Sequence, residues 1–312
     1  MPIRVNNPGL LTTIQDAGRH GYSHLGISSC GAADSLAYRI ANLILGNEEN
    51  AAALEMTLLG ATLEFEDAAV VAVTGADCDC RLNGKVTPMW QAIEVAPGEV
   101  LACAGMKTGA RAYLAAQGGF AVTPVLGSAS TDRAGHFGGY RGRKLLKGDL
   151  LRIRQQRAAK SRRARRLQTN PLDTLYPPSP IRVTRGTQQD LFGREAFEKF
   201  FSRAYVVSDD SDRSGLRLKG EAIRPLSASQ FITDGIPLGA IQVPPDGQPI
   251  ILFVDQQTTG GYLKIANVIA ADMHRIGQLR PRDSVRFAEV TMAEALESVR
   301  QQEEWLKTIL RS

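Results

Sequence analysis

Metal-ligating and redox residues are scarce in this 312-residue chain, which holds four cysteines and four histidines. Cys78 and Cys80 form a Cys-x-Cys pair, but no second pair and no nearby histidine completes a zinc set. Cys30 and Cys103 stand apart in sequence and read as small core residues. His20 and His24 have the spacing of a helical metal pair, yet Gly18, Gly21 and Gly26 make that stretch a loop, so no metal is expected. No apolar run approaches the roughly 20 residues of a membrane span, and residues 1–7 show no signal-peptide core. The expectation is a cytoplasmic protein without membrane attachment. Also missing are the G-x-x-x-x-G-K-[ST] phosphate loop, which argues against ATP use by this chain alone, and the G-x-S-x-G nucleophile elbow. Gly105-Met106-Lys107-Thr108 lacks the second methionine of a biotin-accepting Met-Lys-Met hairpin and reads as a hairpin tip.

What is present is ordinary globular material: 43% hydrophobic and 22% charged residues, enough for one large or two ordinary domains. The formal charge of +5 is local. Eight basic residues and no acid fall between Arg152 and Arg166, so the remainder of the chain is net −3. Aromatic residues are absent from that run and no nucleic-acid fold signature accompanies it. It therefore reads as a solvated linker rather than a nucleic-acid site. Pro171, Pro177, Pro178 and Pro180 follow it. The boundaries expected are 1–155 for an N-terminal module, 156–180 for the linker and 181–312 for a C-terminal module.

Asp34 is placed to N-cap a helix over 35–45 that Gly46-Asn47 ends, and capping alone would account for it. A second short helix is expected over 48–53. Short strands follow at 61–65, 70–74, 80–82, 91–95, 100–104 and 110–116, with turn signals such as Asn83-Gly84 and Pro97-Gly98 at barrel-like spacing. The second half reads as a strand over 181–185, a helix over 189–202, a strand over 204–208, a polar turn at 211–215 and a closing helix over 292–311. Leu145/Leu279, Asp149/Asp283 and Arg152/Arg286 align the ends of the two halves. Gly60-Ala-Thr-Leu-Glu-Phe before 70–74 resembles Gly239-Ala-Ile-Gln-Val before 250–254. Together these matches point to two related β-rich modules, with a site between them.

The richest stretch runs from Gly239 to Lys264. Ile241 and Val243 alternate with Gln242 as in a half-buried strand, Pro244-Pro245-Asp246-Gly247 is a turn, and 250–254 is an apolar run suited to a strand buried on both faces. Asp255, Gln256, Gln257, Thr258, Thr259, Gly260, Gly261 and Tyr262 then form a polar loop whose glycines let a ligand approach the backbone, Gly261 with positive φ. Thr13, Asp16, Arg19, Asp34, Asp212 and Arg213 complete the polar clusters. An Arg–Asp pairing of Arg19 with Asp16 would be equally natural as pure structure.

Gly9-Leu-Leu-Thr-Thr-Ile-Gln-Asp-Ala-Gly-Arg19, Gly31-Ala-Ala-Asp34, Ala41-Asn42, Gly46-Asn47, Leu54-Glu55-Met-Thr57 and Phe137-Gly-Gly-Tyr-Arg-Gly-Arg143 resemble the allophanate hydrolase subunit 2 family. So do Ser211-Asp-Arg-Ser-Gly215, Gln242-Val-Pro-Pro-Asp-Gly-Gln-Pro249 and Gln257-Thr-Thr-Gly-Gly-Tyr262, in order over nearly the whole chain. That family includes the KipA-like proteins, regarded as the C subunit of 5-oxoprolinase, and the carboxyltransferase domain of urea carboxylase. Ala33 and Ser214 stand where the family pattern has methionine, Thr187 and Leu263 where it has proline, and Gln256 where it has arginine.

The resemblance implies a mainly β chain with a few helices, built as two cyclophilin-like β-barrel subdomains with a cleft between them. It implies work with the A and B subunits of 5-oxoprolinase, the KipI-like partner among them, to cleave 5-oxoproline to glutamate. ATP would be used at the level of that complex, and a homo-oligomer is compatible with it. The rival readings are biotin-dependent carboxyl transfer to urea or a related amide, and a KipA-like regulatory binder. In the enzymatic readings Asp34 or Asp16 is the candidate base and Lys264 an electrostatic stabiliser. Thr258, Thr259 and Gln242 supply oriented hydrogen bonds, and Arg213 or Arg19 holds a carboxylate or phosphate. Thr13, Gln257, Gly260, Gly261 and Tyr262 fill out the binding set.

The linker reading has a direct check. Neutralising Arg162, Arg163, Arg165 and Arg166 together is expected to shift unfolding free energy by only a few tenths of a kcal/mol, as surface changes do. A loss of several kcal/mol in a denaturant titration would mean that the run pairs with buried acids.

Overall fold

Ile3 and Val5 are buried while Arg4 between them is exposed, and Leu63 and Phe65 repeat the alternation on the paired strand. That period of two gives each strand one face for a core. The computed structural model describes residues 2–154, 167, 171–226 and 232–309. The chain forms two compact units, Met1–Arg19 with Cys30–Leu175 and Trp305–Ser312, and His20–Ser29 with Tyr176–Glu304.

In the first unit a six-stranded sheet runs in the order Leu150–Arg152, Pro2–Asn7, Thr62–Phe65, Val100–Ala102, Arg81–Leu82, Lys85–Val86. A five-stranded sheet runs Leu11–Gln15, Ala53–Thr57, Thr108–Ala116, Ala69–Asp77, Ala92–Val95. One core is shared by both, with Ile3, Leu63, Phe65 and Leu101 from the first meeting Ile14, Leu54, Val73 and Leu114 from the second. Thr108–Ala116 and Ala69–Asp77 lose their alternation because helix Ser35–Ile44 covers their outer side. Thr74 donates to the Ala37 carbonyl at 2.7 Å there, tying strand to helix.

In the second unit an eight-stranded sheet runs Ser284–Val285, Tyr205–Val207, Gly215–Lys219, Ile250–Leu252, Ala240–Val243, Leu263–Val268, Ile181–Arg185, Phe287–Glu289. Its first and last strands are separated in sequence by Arg286 alone, so the sheet curls round on itself as a barrel. Phe200 of helix Arg194–Ser202 stacks on Phe287 at 4.6 Å, sealing one side. The chain is thus mostly β with five helices among the described residues. None of the described helices is long and apolar enough to cross a membrane.

Several local expectations need correction. Residues 48–53 are not helical: one turn closes as the Ala51 amide donates to the Glu48 carbonyl, and Ala53 already pairs with Gln15. Asn42 and Tyr38 side chains hold the Ala51 carbonyl at 2.8 and 2.9 Å, which fixes the chain as it leaves the helix. The helix over 189–202 is broken by Gly193 into a single 3-10 turn, Gln189–Leu191, and the helix Arg194–Ser202. Cys103 is not isolated, because a backward kink at Asp79 (φ 45°) brings Cys78 and Cys80 to its thiol. The pair Thr62–Phe65 and Ala69–Asp77 lies in separate sheets, whereas Ala240–Val243 and Ile250–Leu252 pair as a hairpin, so that part of the expected repeat does not match. The basic run from 155 to 166 lies outside the described residues.

The aligned aspartates do share a role. Asp149 accepts the Leu146 amide at 2.8 Å, and Asp283 accepts the Arg280 amide at the same distance, each closing the turn three residues back. Asp149 also takes both Arg143 nitrogens, at 2.7 and 2.8 Å. Burial pushes the Asp149 carboxyl up, but Arg143 and the Leu146 amide outweigh it and leave the pKa below its ordinary value. A depressed pKa stabilises the fold above the unfolded value and ceases to do so as pH falls through the folded one. Asp149→Asn is therefore expected to cost about 1.5–3 kcal/mol at pH 7, with the gap to wild type closing below about pH 4. Urea titrations at pH 7 and pH 3 give the comparison; an equal gap at both would remove Arg143 from the account.

Candidate functional site

The stretch from Gly239 to Lys264 folds so that two distant side chains meet. Gly239 takes φ 80° and a Cβ there would stand 2.8 Å from Met273 Sδ, so the turn into the strand Ala240–Val243 demands glycine. The Gly247 amide donates to the Pro244 carbonyl at 2.9 Å, closing the turn that the Pro-Pro-Asp-Gly sequence announces. The strand Ala240–Val243 pairs with Ile250–Leu252 on one side and Leu263–Val268 on the other. An irregularity between Ile241 and Gln242 sets Gln242 directly opposite Lys264. Cross-strand partners project on the same face, so both side chains leave the sheet on one side.

Both are buried. Gln242 is 2% exposed and Lys264 3%, which corrects the expectation of a half-buried strand with Gln242 on its wet face. Gln242 Nε2 donates to the Tyr262 carbonyl at 3.4 Å. Lys264 Nζ makes no hydrogen bond among the described residues. Its one ionic neighbour among them is Asp234 Oδ2 at 3.5 Å, without hydrogen-bond geometry, and that side chain is 63% exposed. The lysine backbone is fixed independently: its amide donates to Gln188 Oε1 at 2.8 Å, and Gly186 lies so close to its carbonyl that no side chain fits.

The polar loop is clipped into a ribbon. Thr259–Gly260 pairs with Asp234–Gly235, and the Ile236 amide donates to the Thr258 carbonyl at 3.0 Å. A Cβ on Gly260 would stand 3.0 Å from Gln257 Nε2, 3.1 Å from Gln242 Nε2 and 2.7 Å from Ile236 Cδ1. Gly260 is thus the residue of close approach. Gly261 does not adopt positive φ, contrary to expectation. Gln257, Thr259, Gly261 and Tyr262 are exposed and Thr258 is half-buried. Gln256 is the buried amide, donating to the Ile236 carbonyl at 2.9 Å with Oε1 unmatched. Ser28, from the glycine-rich loop 20–29, donates to the Gln256 carbonyl at 2.7 Å. Arg213 grips Asp255 with two bonds of 2.8 and 2.9 Å, so its guanidinium anchors the loop's first residue. Asp212 closes its own turn through the Ser214 amide at 2.8 Å.

In the first unit Thr13, Asp16, Arg19 and Asp34 are all buried. Thr13 Oγ1 accepts from Gln15 Nε2 at 3.0 Å. Asp16 does not pair with Arg19. Its carboxylate accepts Gly18 N, Ser128 Oγ, Ser130 Oγ and Ala129 N at 2.5–2.8 Å, a bracket that commits both of its oxygens to the fold. Arg19 donates to the Ser130 carbonyl at 2.7 Å and stacks its Cζ 4.6 Å above the Phe137 ring. Asp34 caps its helix as expected, accepting the Ala37 amide at 2.9 Å, and it is fully buried. Its own amide donates to Tyr113 Oη, which donates in turn to Glu55 Oε2, both at 2.7 Å. Burial, then the Glu55 and Asp34 charges, push the Tyr113 hydroxyl well above its ordinary pKa, so it stays a neutral link.

The structure therefore brings together Lys264, Gln242, Gly260 and Gln257, and adds Asp234 and Gln256, which sequence reasoning missed. Thr233-Asp234-Gly235 carries only a turn signal, and nothing in Gln256-Gln257 says which amide is buried. Among the described residues no group of three His, Cys, Asp or Glu is placed to hold a metal ion. Chemically the centre offers a buried cation lacking a hydrogen-bond acceptor, flanked by amide donors, which suits an oxygen carrying negative charge.

A family model described as "Carboxyltransferase domain, subdomain A and B" matches residues 25–289. The chain is 37% identical over 307 residues to the C subunit of 5-oxoprolinase from Escherichia coli, covering 98% of this chain and 97% of that protein. It is 38% identical to the C subunit of 5-oxoprolinase from Haemophilus influenzae, covering 96% and 94% respectively. The crystal structure of Kluyveromyces lactis urea carboxylase superposes with a TM-score of 0.90 at 32% identity, covering 99% of this chain and 29% of that one. This chain thus spans less than a third of that solved structure.

The glycine reading separates two neighbours. Gly260→Ala is expected to lower the unfolding free energy by about 1–3 kcal/mol through overpacking, while Gly261→Ala stays within about 0.5 kcal/mol of wild type. Equal effects in urea titrations would deny Gly260 its close contacts.

Proposed function

The chain belongs to the carboxyltransferase domain family, subdomains A and B, and from that membership we propose that it is the C-type subunit of an ATP-dependent 5-oxoprolinase. In this reading it opens the lactam of 5-oxoproline to glutamate together with A and B subunits. Supporting it is near-full-length similarity to proteins named as that subunit in two organisms. ATP is a substrate of the complex, consistent with the missing phosphate loop.

The observation that carries the site assignment is Lys264 Nζ, buried and without a hydrogen-bond acceptor. An ammonium in that state binds the substrate's carboxylate or the carbonyl oxygen on which charge develops, and Gln242 adds a neutral donor beside it. Gly260 lets the Gln242 and Gln257 amides pack against the backbone beside the lysine. Asp16 is fully engaged and Asp34 caps its helix, so both carboxylates considered as base carry structural work.

A second reading has its own support in the similarity to urea carboxylase: carboxyl transfer from a biotin carrier to urea or a related amide. It makes the same demand on Lys264, because a carboxyl donor also develops oxygen charge. The two differ in what must be supplied, A and B subunits with ATP or a biotin carboxylase with its carrier.

Reconstitution decides between them. The chain alone is expected to leave 5-oxoproline intact, and addition of A and B subunits with ATP to release glutamate. Full activity from the chain alone, or carboxylation of urea with biotin partners and no glutamate release, would sink the proposal. Within the complex, Lys264→Met is expected to lower kcat by about ten- to a thousandfold, with no loss of thermal stability because a poorly paired buried charge has gone. Asp34→Asn keeps the helix cap, so lost turnover at unchanged stability would assign its carboxylate a chemical role.

A further inference from the structure

The Phe137-Gly-Gly-Tyr-Arg-Gly-Arg143 segment has no part in the reaction proposed above, yet its construction is unusual. Leu126, Gly127, His136, Gly138, Gly139, Arg141 and Gly142 all take positive φ. A Cβ at Gly138 would run into the Ser130 carbonyl and stand 2.9 Å from Arg19 Nη2; one at Gly139 would collide with Thr131 Oγ1. The loop is therefore wound as tightly as glycine permits over the Arg19 guanidinium. The amides of Gly138, Tyr140 and Arg141 donate to no atom among the described residues. Left-handed residues interleaved with others turn successive amides the same way, a concavity suited to anions.

Beneath that loop lies a buried charge that meets carbonyls but no acid: Arg19 donates from Nε to the Val125 carbonyl at 3.4 Å and from Nη2 to the Ser130 carbonyl at 2.7 Å. Arg19 is 2% exposed, and its Nη1 has no hydrogen-bond partner among the described residues. Asp16, three residues away, is used up by four donors. Asp132, the loop's own acid, accepts the Gly135 amide at 2.8 Å and makes no ion pair with Arg19. Arg133 and Arg141 are exposed on the same loop, and Arg141 also lies in the field of Asp149. A buried guanidinium without a counter-ion is strongly unfavourable unless one is supplied from outside. We propose that Arg19 and the 132–142 loop form a binding site for a small oxyanion, a carboxylate or a phosphoryl group. Nη1 is closed to solvent in this conformation, so entry of the anion requires the Phe137 ring stacked on the guanidinium to move aside.

Binding to the isolated full-length chain tests this without recourse to the reaction above. Inorganic phosphate and acetate are each titrated at constant ionic strength, with chloride as the reference, by calorimetry and thermal unfolding. The expected result is saturable one-to-one binding of at least one probe with a rise in melting temperature. Preference for phosphate assigns a phosphoryl group, and binding of acetate alone assigns a carboxylate. Arg19→Met is expected to weaken binding at least tenfold while melting no lower than wild type in chloride. Arg133→Gln with Arg141→Gln, both on exposed side chains, is expected to weaken it severalfold. The site is refuted if neither probe binds saturably or if Arg19→Met binds as tightly as wild type. Should Arg19→Met fail to fold, undiminished affinity in the double variant refutes it.

Discussion

A charge taken below the surface must be met by hydrogen bonds or by an opposite charge, at a penalty of several kcal/mol when it is not. Much of this chain is arranged to satisfy that constraint. Asp16 collects four donors, Arg213 meets Asp255 with both nitrogens, and Asp272 takes Arg182 and Arg275 together. The first two tie loop to loop, 16–18 to 128–130 and 255 to 213, and the third ties the turn at 272 to the strand Ile181–Arg185. The loops have few apolar residues of their own, so buried ionic clips are what hold them in one conformation. Against that background Lys264 and Arg19 stand out: each has a buried nitrogen without a hydrogen-bond partner among the described residues, and neither is paired with a buried acid as Arg111 is with Glu55. An unmet buried charge in an otherwise well-paired protein is where a ligand's charge has most to contribute.

The Lys264 case shows why strand register matters as much as residue type. Side chains alternate with a period of two, so a one-residue slip would send Gln242 or Lys264 to the opposite face. The irregularity between Ile241 and Gln242 brings the two together, and the short ribbon formed by 234–235 and 259–260 closes over them. Gly186 and Gln188, in the turn after the neighbouring strand Ile181–Arg185, hold the lysine's backbone. The lysine is thus positioned by backbone contacts, while its head group makes no hydrogen bond among the described residues and has only the exposed Asp234 as an ionic neighbour. That is how a site stays oriented without spending its charge.

Local chemistry made much of this legible from residues alone. The Asp34 cap, the Pro-Pro-Asp-Gly turn and the strand positions from 61 to 116 follow from propensity and period, and the structure has them within a few residues. The mainly β architecture and the family came from motif resemblance and hold. What was illegible depends on tertiary partners. Residues 48–53 look helical by composition, but Asn42 and Tyr38 seize the Ala51 carbonyl and turn the chain into a strand. Gln242 looks like the wet side of a half-buried strand until Gly260 and the ribbon cover it. Asp234, thirty residues from its lysine, offers no local signal at all. Arg19 was visible as a candidate, but its lack of a counter-ion is evident only once Asp16 is seen to be committed elsewhere.

The shared scaffold explains why two reactions fit one set of residues. This chain is matched nearly end to end by free-standing subunits in bacteria and by under a third of a yeast urea carboxylase chain. Fold alone does not specify chemistry. Opening a lactam and carboxylating an amide both pass through an oxygen that gains negative charge beside an amide nitrogen. A buried ammonium with an amide donor at its side stabilises that oxygen in either case. In the proposed reading the residues around Lys264 favour one kind of transition state, while the activated group, phosphoryl or carboxyl, comes from another component. On that reading specificity between the two reactions lies in the delivering partner rather than in the ammonium, in keeping with a scaffold matched by whole bacterial subunits and by part of a longer yeast chain.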